Sequence, residues 1–244
     1  MSAHLIPALV ALNLLALGDT EPILGLLALP EVFGEAPCQD FEPGEIALFA
    51  RPAADASAPG DPIAFIRVDR PWTHHPQGGC EGLRVGVHPV GAAESAPLPT
   101  REFGYELPGA VVLEREEGWF RIRTPSGSAW LRATERTEYL PLEELLSDAL
   151  AYMTEGWDGP LAPEPGRTAM AAELDRVGSD PTHWEGMSAT LEAHRWLGEE
   201  LWLEVSVLNH SVCEGPEPRV VGRGWLPAHG PTGEVTVWFH SRGC

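Results

Sequence analysis

The chain reads as a mainly β protein, with β regions at both ends joined by an acidic, partly helical connector. Three observations predict this. Apolar and polar residues alternate from Trp119 to Arg123 and, more strictly, from Leu201 to Leu208, the two-residue period of a half-buried strand. Turn residues punctuate these runs at Glu116-Glu117-Gly118, Pro125-Ser126-Gly127 and Thr232-Gly233. Between the β regions, residues 137–200 carry 14 acidic and 3 basic side chains, a net −11 that is more than half of the chain's −20.

Composition narrows the function classes. A length of 244 residues fits one to two domains. There is no Lys, so all sixteen basic residues are Arg. That excludes a P-loop lysine, a Schiff-base lysine and a lysine general base. A charge of −20 argues against nucleic acid as a partner, which needs a basic face. Gly and Pro, 26 and 24, make the chain loop-rich without reaching the disordered range. Nine Trp and 43% apolar residues supply a core.

Residues 1–18 read as a signal peptide. Leu5–Leu17, LIPALVALNLLAL, is apolar but broken by Pro7 and Asn13. It is too short for a membrane span and has the length of a signal h-region. Ala16-Leu17-Gly18 places small residues at the cleavage positions, with Asp19 as the first mature residue. Only His4 adds positive charge ahead of it, and the alternative is a buried helix. The mature chain is then expected in the periplasm or secreted, with no membrane span.

The cysteines agree with export. Cys38, Cys80, Cys213 and Cys244 form no C-x-x-C, so neither a zinc ribbon nor a thioredoxin motif is expected. Four widely spaced cysteines fit two disulfides in an oxidising compartment. Three connectivities exist, and pairing within each region gives Cys38–Cys80 and Cys213–Cys244. Each would contribute roughly 3–4 kcal/mol on the chain-entropy model. Four buried free thiols are the alternative.

The N-terminal β region spans 19–140. Asp19–Glu42 reads as an extended lead-in packed on the body. Glu45–Arg51, Ile63–Val68 and Leu83–Val87 are strand candidates, and Pro71–Gly82 is too rich in breakers to be regular. Ala110–Glu114, Trp119–Arg123 and Ser128–Leu131 form a meander joined by three-residue turns. The connector spans 141–197. Pro141 starts a helix whose apolar stripe runs Leu142, Leu145, Leu146, Ala149, Leu150, Met153 and which ends at Gly156. WDGPLAPEPG reads as a linker, and Ala169–Val177 and Met187–Leu197 as short helices. The C-terminal β region, 198–244, contains Leu201–Leu208, Val220-Val221, Gly224–Leu226 and Val235–Phe239.

Two stretches carry a resemblance. Ala110–Ala133, AVVLEREEGWFRIRTPSGSAWLRA, resembles the C-terminal half of a bacterial SH3-like domain, with its elements at Val111, Gly118, Trp119, Ile122, Gly127 and Trp130. The closing LWLEVSVLNHSVCEG and VVGRGWLPAHGPTGEVTVWFHSRGC resemble a second copy. LPEVFGEAPC, GGCEGLRVGV and SRGC make most of the chain similar to exported SH3-domain-containing proteins of Gram-negative bacteria. The usual asparagine-valine-arginine opening of the first barrel is absent. The resemblance implies two small SH3-like barrels, a cell-envelope location and binding to a ligand or to the wall, with no known reaction.

Catalytic and metal signals are sparse. No G-x-S-x-G elbow is present, and Cys38 or Cys80 with His74 or His75 lacks a papain-like local signature. His74-His75 are adjacent, and His183 and His194 stand eleven apart. His210, His229 and His240 come closest to a ligand set if the C-terminal strands gather them, and they carry the hydrolase alternative. Glu116-Glu117 and Glu199-Glu200 read as a turn and a solvated face. The aromatics are the stronger signal. Trp119, Trp130, Trp225 and Trp238, with Phe120 and Phe239, recur in the barrel-like parts, where such residues either fill a core or line a stacking groove. Trp72, in PWTHHP, is expected to be exposed.

These readings give a non-catalytic exported binding module without a cofactor or metal. Its expected partner is a cell-wall glycan or peptide, or an envelope protein, held through an aromatic groove of Trp72, Trp119, Trp130, Trp225 and Trp238. A protein–protein adaptor is the alternative.

Overall fold

A computed structural model describes residues 21–36, 40–52, 60–74, 80–147, 149–167 and 184–243. Strand accounts for 49% and helix for 5%, so the chain is mainly β, as its patterning predicts. The expected signal peptide, Asp19 and the 169–177 helix lie outside the described residues.

Strand β1 (Gly25–Ala28) and the one-turn helix α1 (Pro30–Phe33) come first. They are followed by β2 (Glu45–Leu48), β3 (Ala64–Arg70), β4 (Thr73–His74), β5 (Cys80–Glu81), β6 (Arg84–Pro89) and β7 (Ala96–Pro97). Then come β8 (Thr100–Gly104), β9 (Leu107–Glu116), β10 (Trp119–Thr124), β11 (Gly127–Arg132) and β12 (Glu138–Pro141). The remaining elements are α2 (Leu142–Leu146), β13 (Ala151–Met153), β14 (Ser188–Leu197), β15 (Glu200–Leu208), β16 (Val220–Pro227) and β17 (Val237–Phe239).

They form three main antiparallel sheets. The first runs β11-β10-β9-β1-β12, with β8 paired to the early part of β9. The second runs β2-β3-β6-β7, and the third β16-β15-β14-β13-β17. The lead-in thus supplies β1, which lies between β9 and β12.

The first sheet is the middle layer because both its faces are apolar. Leu27, Ala110, Val112, Ile122 and Leu131 pack into one core with Ile46, Leu48, Ile66, Val85 and Val87 of the second sheet. Leu26, Val111 and Leu113 turn the other way, into a core with Leu203, Val205, Val207, Leu226 and Val237 of the third. Adjacent residues serve opposite cores because successive strand side chains point to opposite faces. A strand buried on both sides needs a continuous apolar run, which is what Ala110–Leu113 provides.

The meander matches its patterning, with tighter turns. Glu116 pairs with Trp119, so the β9–β10 loop is Glu117-Gly118, both with positive φ (29° and 82°). That is the two-residue mirror-image turn favoured by strand twist. Thr124 pairs with Gly127, which leaves Pro125-Ser126 as the second loop. The alternation of Leu201–Leu208 also holds, since Leu201, Leu203, Val205 and Val207 all enter one core.

The connector differs from expectation. The helix ends at Leu146 instead of continuing to Met153: Ser147 takes an extended conformation and its hydroxyl donates to the Glu143 carbonyl at 2.8 Å. Ala151–Met153 then pairs with β14 and β17, so Met153 is buried by sheet contacts. Gly156 is no helix cap; a Cβ there would lie 2.5 Å from the Val235 carbonyl oxygen. Met187–Leu197, expected as helix, is mostly β14, because Leu197 pairs with Glu200 and eight registered pairs zip it onto β15. The WDGPLAPEPG segment covers a sheet edge: Ala162 and Trp225 exchange two backbone hydrogen bonds of 2.7 Å.

Candidate functional site

The five tryptophans expected to form one groove are dispersed. Trp119 and Trp130, 4% and 7% exposed, lie on β10 and β11, where Trp119 packs edge-on against Phe49 with centroids 5.4 Å apart. Trp225 is buried with Trp202 and Ala162. Trp238 is buried beside Phe239, with centroids 5.1 Å apart. Phe120 packs against Tyr139. Trp72 is half-buried, more covered than expected, and its indole N–H is buried without a hydrogen-bond partner among the described residues.

Trp72 and Trp238 nevertheless line adjoining depressions. One, of about 450 Å³, is walled by Trp72, Leu83, Val85, Pro97 and Pro108. The other, of about 400 Å³, is walled by Arg101, Tyr152, Trp238, His240 and Ser241. Glu102 and Arg242 line both. Their ion pair forms the ridge between them: Arg242 Nη2 donates to Glu102 Oε1 at 2.8 Å, and the Ser241 hydroxyl donates to Oε2 at 2.8 Å. The bonds from Arg242, and secondarily from Ser241, hold the Glu102 carboxyl below the usual carboxylate range. The Arg242 guanidinium also lies 5.5 Å from the exposed Tyr105 ring.

The β8–β9 hairpin positions this ridge. Gly104 pairs with Leu107, and the turn residue Glu106 has a φ of 55°. Extended geometry sends Arg101 and Glu102 to different sides of β8. The Arg101 guanidinium stacks 4.5 Å from the Trp238 ring centroid. Burial lowers its pKa from the ordinary arginine value.

Other expected residues do not converge. His74 is exposed, 3.2 Å from Asp40, and faces Cys80 across the β4–β5 ribbon. His194 is exposed on β14, while His75 and His183 lie outside the described residues. His210 contacts the Ser211 carbonyl, His229 Nε2 donates to the Ile23 carbonyl at 2.9 Å, and the His240 ring lies 4.7 Å from that of Tyr152. Among the described residues, no three metal-ligating side chains gather. Glu116-Glu117 falls at a strand end and turn, and Glu199-Glu200 at the β14–β15 turn, all exposed. Cys213 is exposed and disulfide-bonded. Cys38 and Cys244 lie outside the described residues, and Cys80 is described by its backbone alone.

No family model, curated protein or solved structure matches the chain.

Arg101, Glu102, Tyr152 and Arg242 stand outside the residues that patterning singles out. The available signal is an Arg-Glu pair opening REFGYEL, in a chain whose sixteen Lys-or-Arg positions are all Arg. Among the described residues, no helix is long and apolar enough to cross a membrane.

Proposed function

We propose that the chain is a non-catalytic, exported binding module of the bacterial cell envelope that recognises peptidoglycan. Residues 45–132 act as an SH3-like barrel unit, in which the second sheet closes against β9–β11. Cys38–Cys80 and Cys213–Cys244 are the proposed disulfides. The observation that carries the binding role is the pair of adjoining depressions, with Trp72 at one and Trp238 at the other, divided by the Glu102–Arg242 ridge. Aromatic walls with a few convergent polar groups suit a sugar or an extended peptide. The −20 charge repels anionic polymers at long range. Binding therefore relies on stacking and short-range hydrogen bonds and changes little with salt.

Co-sedimentation with purified sacculi tests this reading. The protein is expected to pellet with sacculi at both low and high salt, and Trp72→Ala to reduce the pelleted fraction several-fold. Absence of wild-type protein from the pellet overturns the wall reading.

One observation favours a protein–protein adaptor as the second reading. Trp196 and Leu197, 46% and 39% exposed, stand at the tip of the β14–β15 hairpin. Crosslinking in the native host that captures one partner through this tip, with no binding to sacculi, would support it over wall binding.

A further inference from the structure

Arg101 differs from the other half-buried arginines. Arg121 donates to the carboxylates of Glu21 and Glu114 at 2.6 and 2.8 Å. Arg123 donates to the Glu21 carbonyl at 3.3 Å. Among the described residues Arg101 has neither kind of partner; its guanidinium lies over the face of Trp238, with Tyr152 close enough to act on its charge. In a chain with 36 carboxylates and 16 arginines, acceptors are abundant. A half-buried guanidinium with none is therefore informative, because a buried charge without a partner opposes folding. Glu102, next to Arg101 in the chain and lining the same depression, has both oxygens engaged by Arg242 and Ser241. Tyr152 and Arg123 lie close enough to act on the Arg101 charge, the first favouring it and the second, to a smaller extent, opposing it.

The surroundings fit a small anion with an apolar body. The depression holds about 400 Å³ and is lined by Arg101, Tyr152, Trp238, His240 and Ser241, together with Glu102 and Arg242, whose charges are paired with each other. A guanidinium whose face lies on an indole still offers its N–H edge, a fork that matches the two oxygens of a carboxylate.

We propose that this depression is a carboxylate-binding subsite, in which the Arg101 edge grips a carboxylate and Trp238 and Tyr152 cover the attached group. It deepens the binding reading above by naming the chemistry of one end of the ligand. The carboxylate belongs either to a free small acid or to the end of a peptide, whose body would then continue over the ridge toward Trp72.

Calorimetry on the full chain tests it with matched probes: benzoate and benzamide, N-acetylphenylalanine and its amide, and a tetrapeptide ending in phenylalanine with a free or amidated terminus. Each acid is expected to bind at least tenfold tighter than its amide. Arg101→Met is expected to abolish that preference and Arg101→Lys to restore it in part. Because Arg101→Met removes an unpaired charge while keeping its packing, its melting temperature should equal or exceed that of the wild type, and acid probes should raise only the wild-type value. Tighter binding of the tetrapeptide acid than of benzoate identifies a chain end; equal binding identifies a free small acid. Equal affinity for acids and amides, binding of no probe, or a preference that survives in Arg101→Met overturns the subsite. Sacculus co-sedimentation is read separately: acid binding without sacculus binding removes the wall reading and leaves the subsite standing.

Discussion

Phe49 and Trp130 exchange both backbone hydrogen bonds, at 2.7 and 2.8 Å, across an isolated bridge between the end of β2 and β11. This bridge ties the second sheet to the edge of the first. The Phe49 ring adds an edge-to-face contact with Trp119, at 84° between ring planes. Aromatic pairs of this geometry stabilise beyond their buried area. Phe49→Ala is therefore expected to destabilise by about 3 kcal/mol. Phe49→Leu, which keeps much of the apolar volume, should destabilise less. Urea unfolding followed by tryptophan fluorescence measures both, and a loss below 1 kcal/mol for Phe49→Ala would remove the ring contact as a stabilising element.

Leu26 and Leu27 are neighbours in β1, yet each is fully buried in a different core. Truncating either to Ala should destabilise by about 2–5 kcal/mol, the range for buried leucines. Because β1 and β9 belong to both cores, each variant is expected to lower one shared unfolding transition. Calorimetry that resolves two transitions, with Leu26→Ala moving one and Leu27→Ala the other, would show that the cores unfold independently.

His229 is half-buried and donates to the Ile23 carbonyl. Burial lowers its pKa from 6.5, against a smaller opposing effect of that hydrogen bond. The unfolded chain then binds more protons than the native state between the lowered pKa and the ordinary one. Stability accordingly rises with pH through that interval, is fully present above about pH 6.5, and falls on acidification. His229→Gln should flatten this part of the profile. Melting temperatures of both proteins from pH 5 to 8 provide the check, and parallel curves would exclude His229 as the source.

The Tyr139 hydroxyl donates to the Leu24 carbonyl at 2.8 Å, and burial pushes its pKa from 10.0 up to about 12. The native state holds this proton after the unfolded chain has lost it, so the contribution is complete below pH 10 and declines above it. Tyr139 is therefore expected to keep its phenol proton near pH 10 in the folded protein. Tyr139→Phe should remove a phenolate absorbance change near pH 12 and destabilise by about 1 kcal/mol, the worth of a typical hydrogen bond. A difference titration between wild type and Tyr139→Phe that shows Tyr139 ionising near pH 10 in folded protein would contradict this.

Gly230 packs its Cα against the Gly156 carbonyl, where a Cβ would overlap the oxygen. The obstacle is backbone and cannot rotate away. Gly230→Ala is expected to lower stability by about 2 kcal/mol or more, in the range of overpacked sites. A thermal melt within one degree of the wild type would show that the loop relaxes freely.

Local patterning accounts for much of the fold. Alternation and turn residues are sufficient for β9–β11 and β15, because a strand's side-chain period and its turn chemistry are properties of a few consecutive residues. Partner choice is not local. Leu142–Met153 has a helical stripe, yet only its first turn is helical, because β14 and β17 offer Ala151–Met153 backbone partners and apolar cover. Met187–Leu197 lies on β15 for the same reason. The candidate site is more strongly tertiary still. Trp72 and Trp238 carried a readable signal, but Arg101 acquires its character from Trp238, which is 137 residues away in the chain. Glu102 likewise meets Arg242 only through the packing of the C-terminal segment against the β8–β9 hairpin. Whether an arginine is paired, stacked or left without an acceptor depends on which distant groups the sheets bring beside it, and no local pattern encodes that.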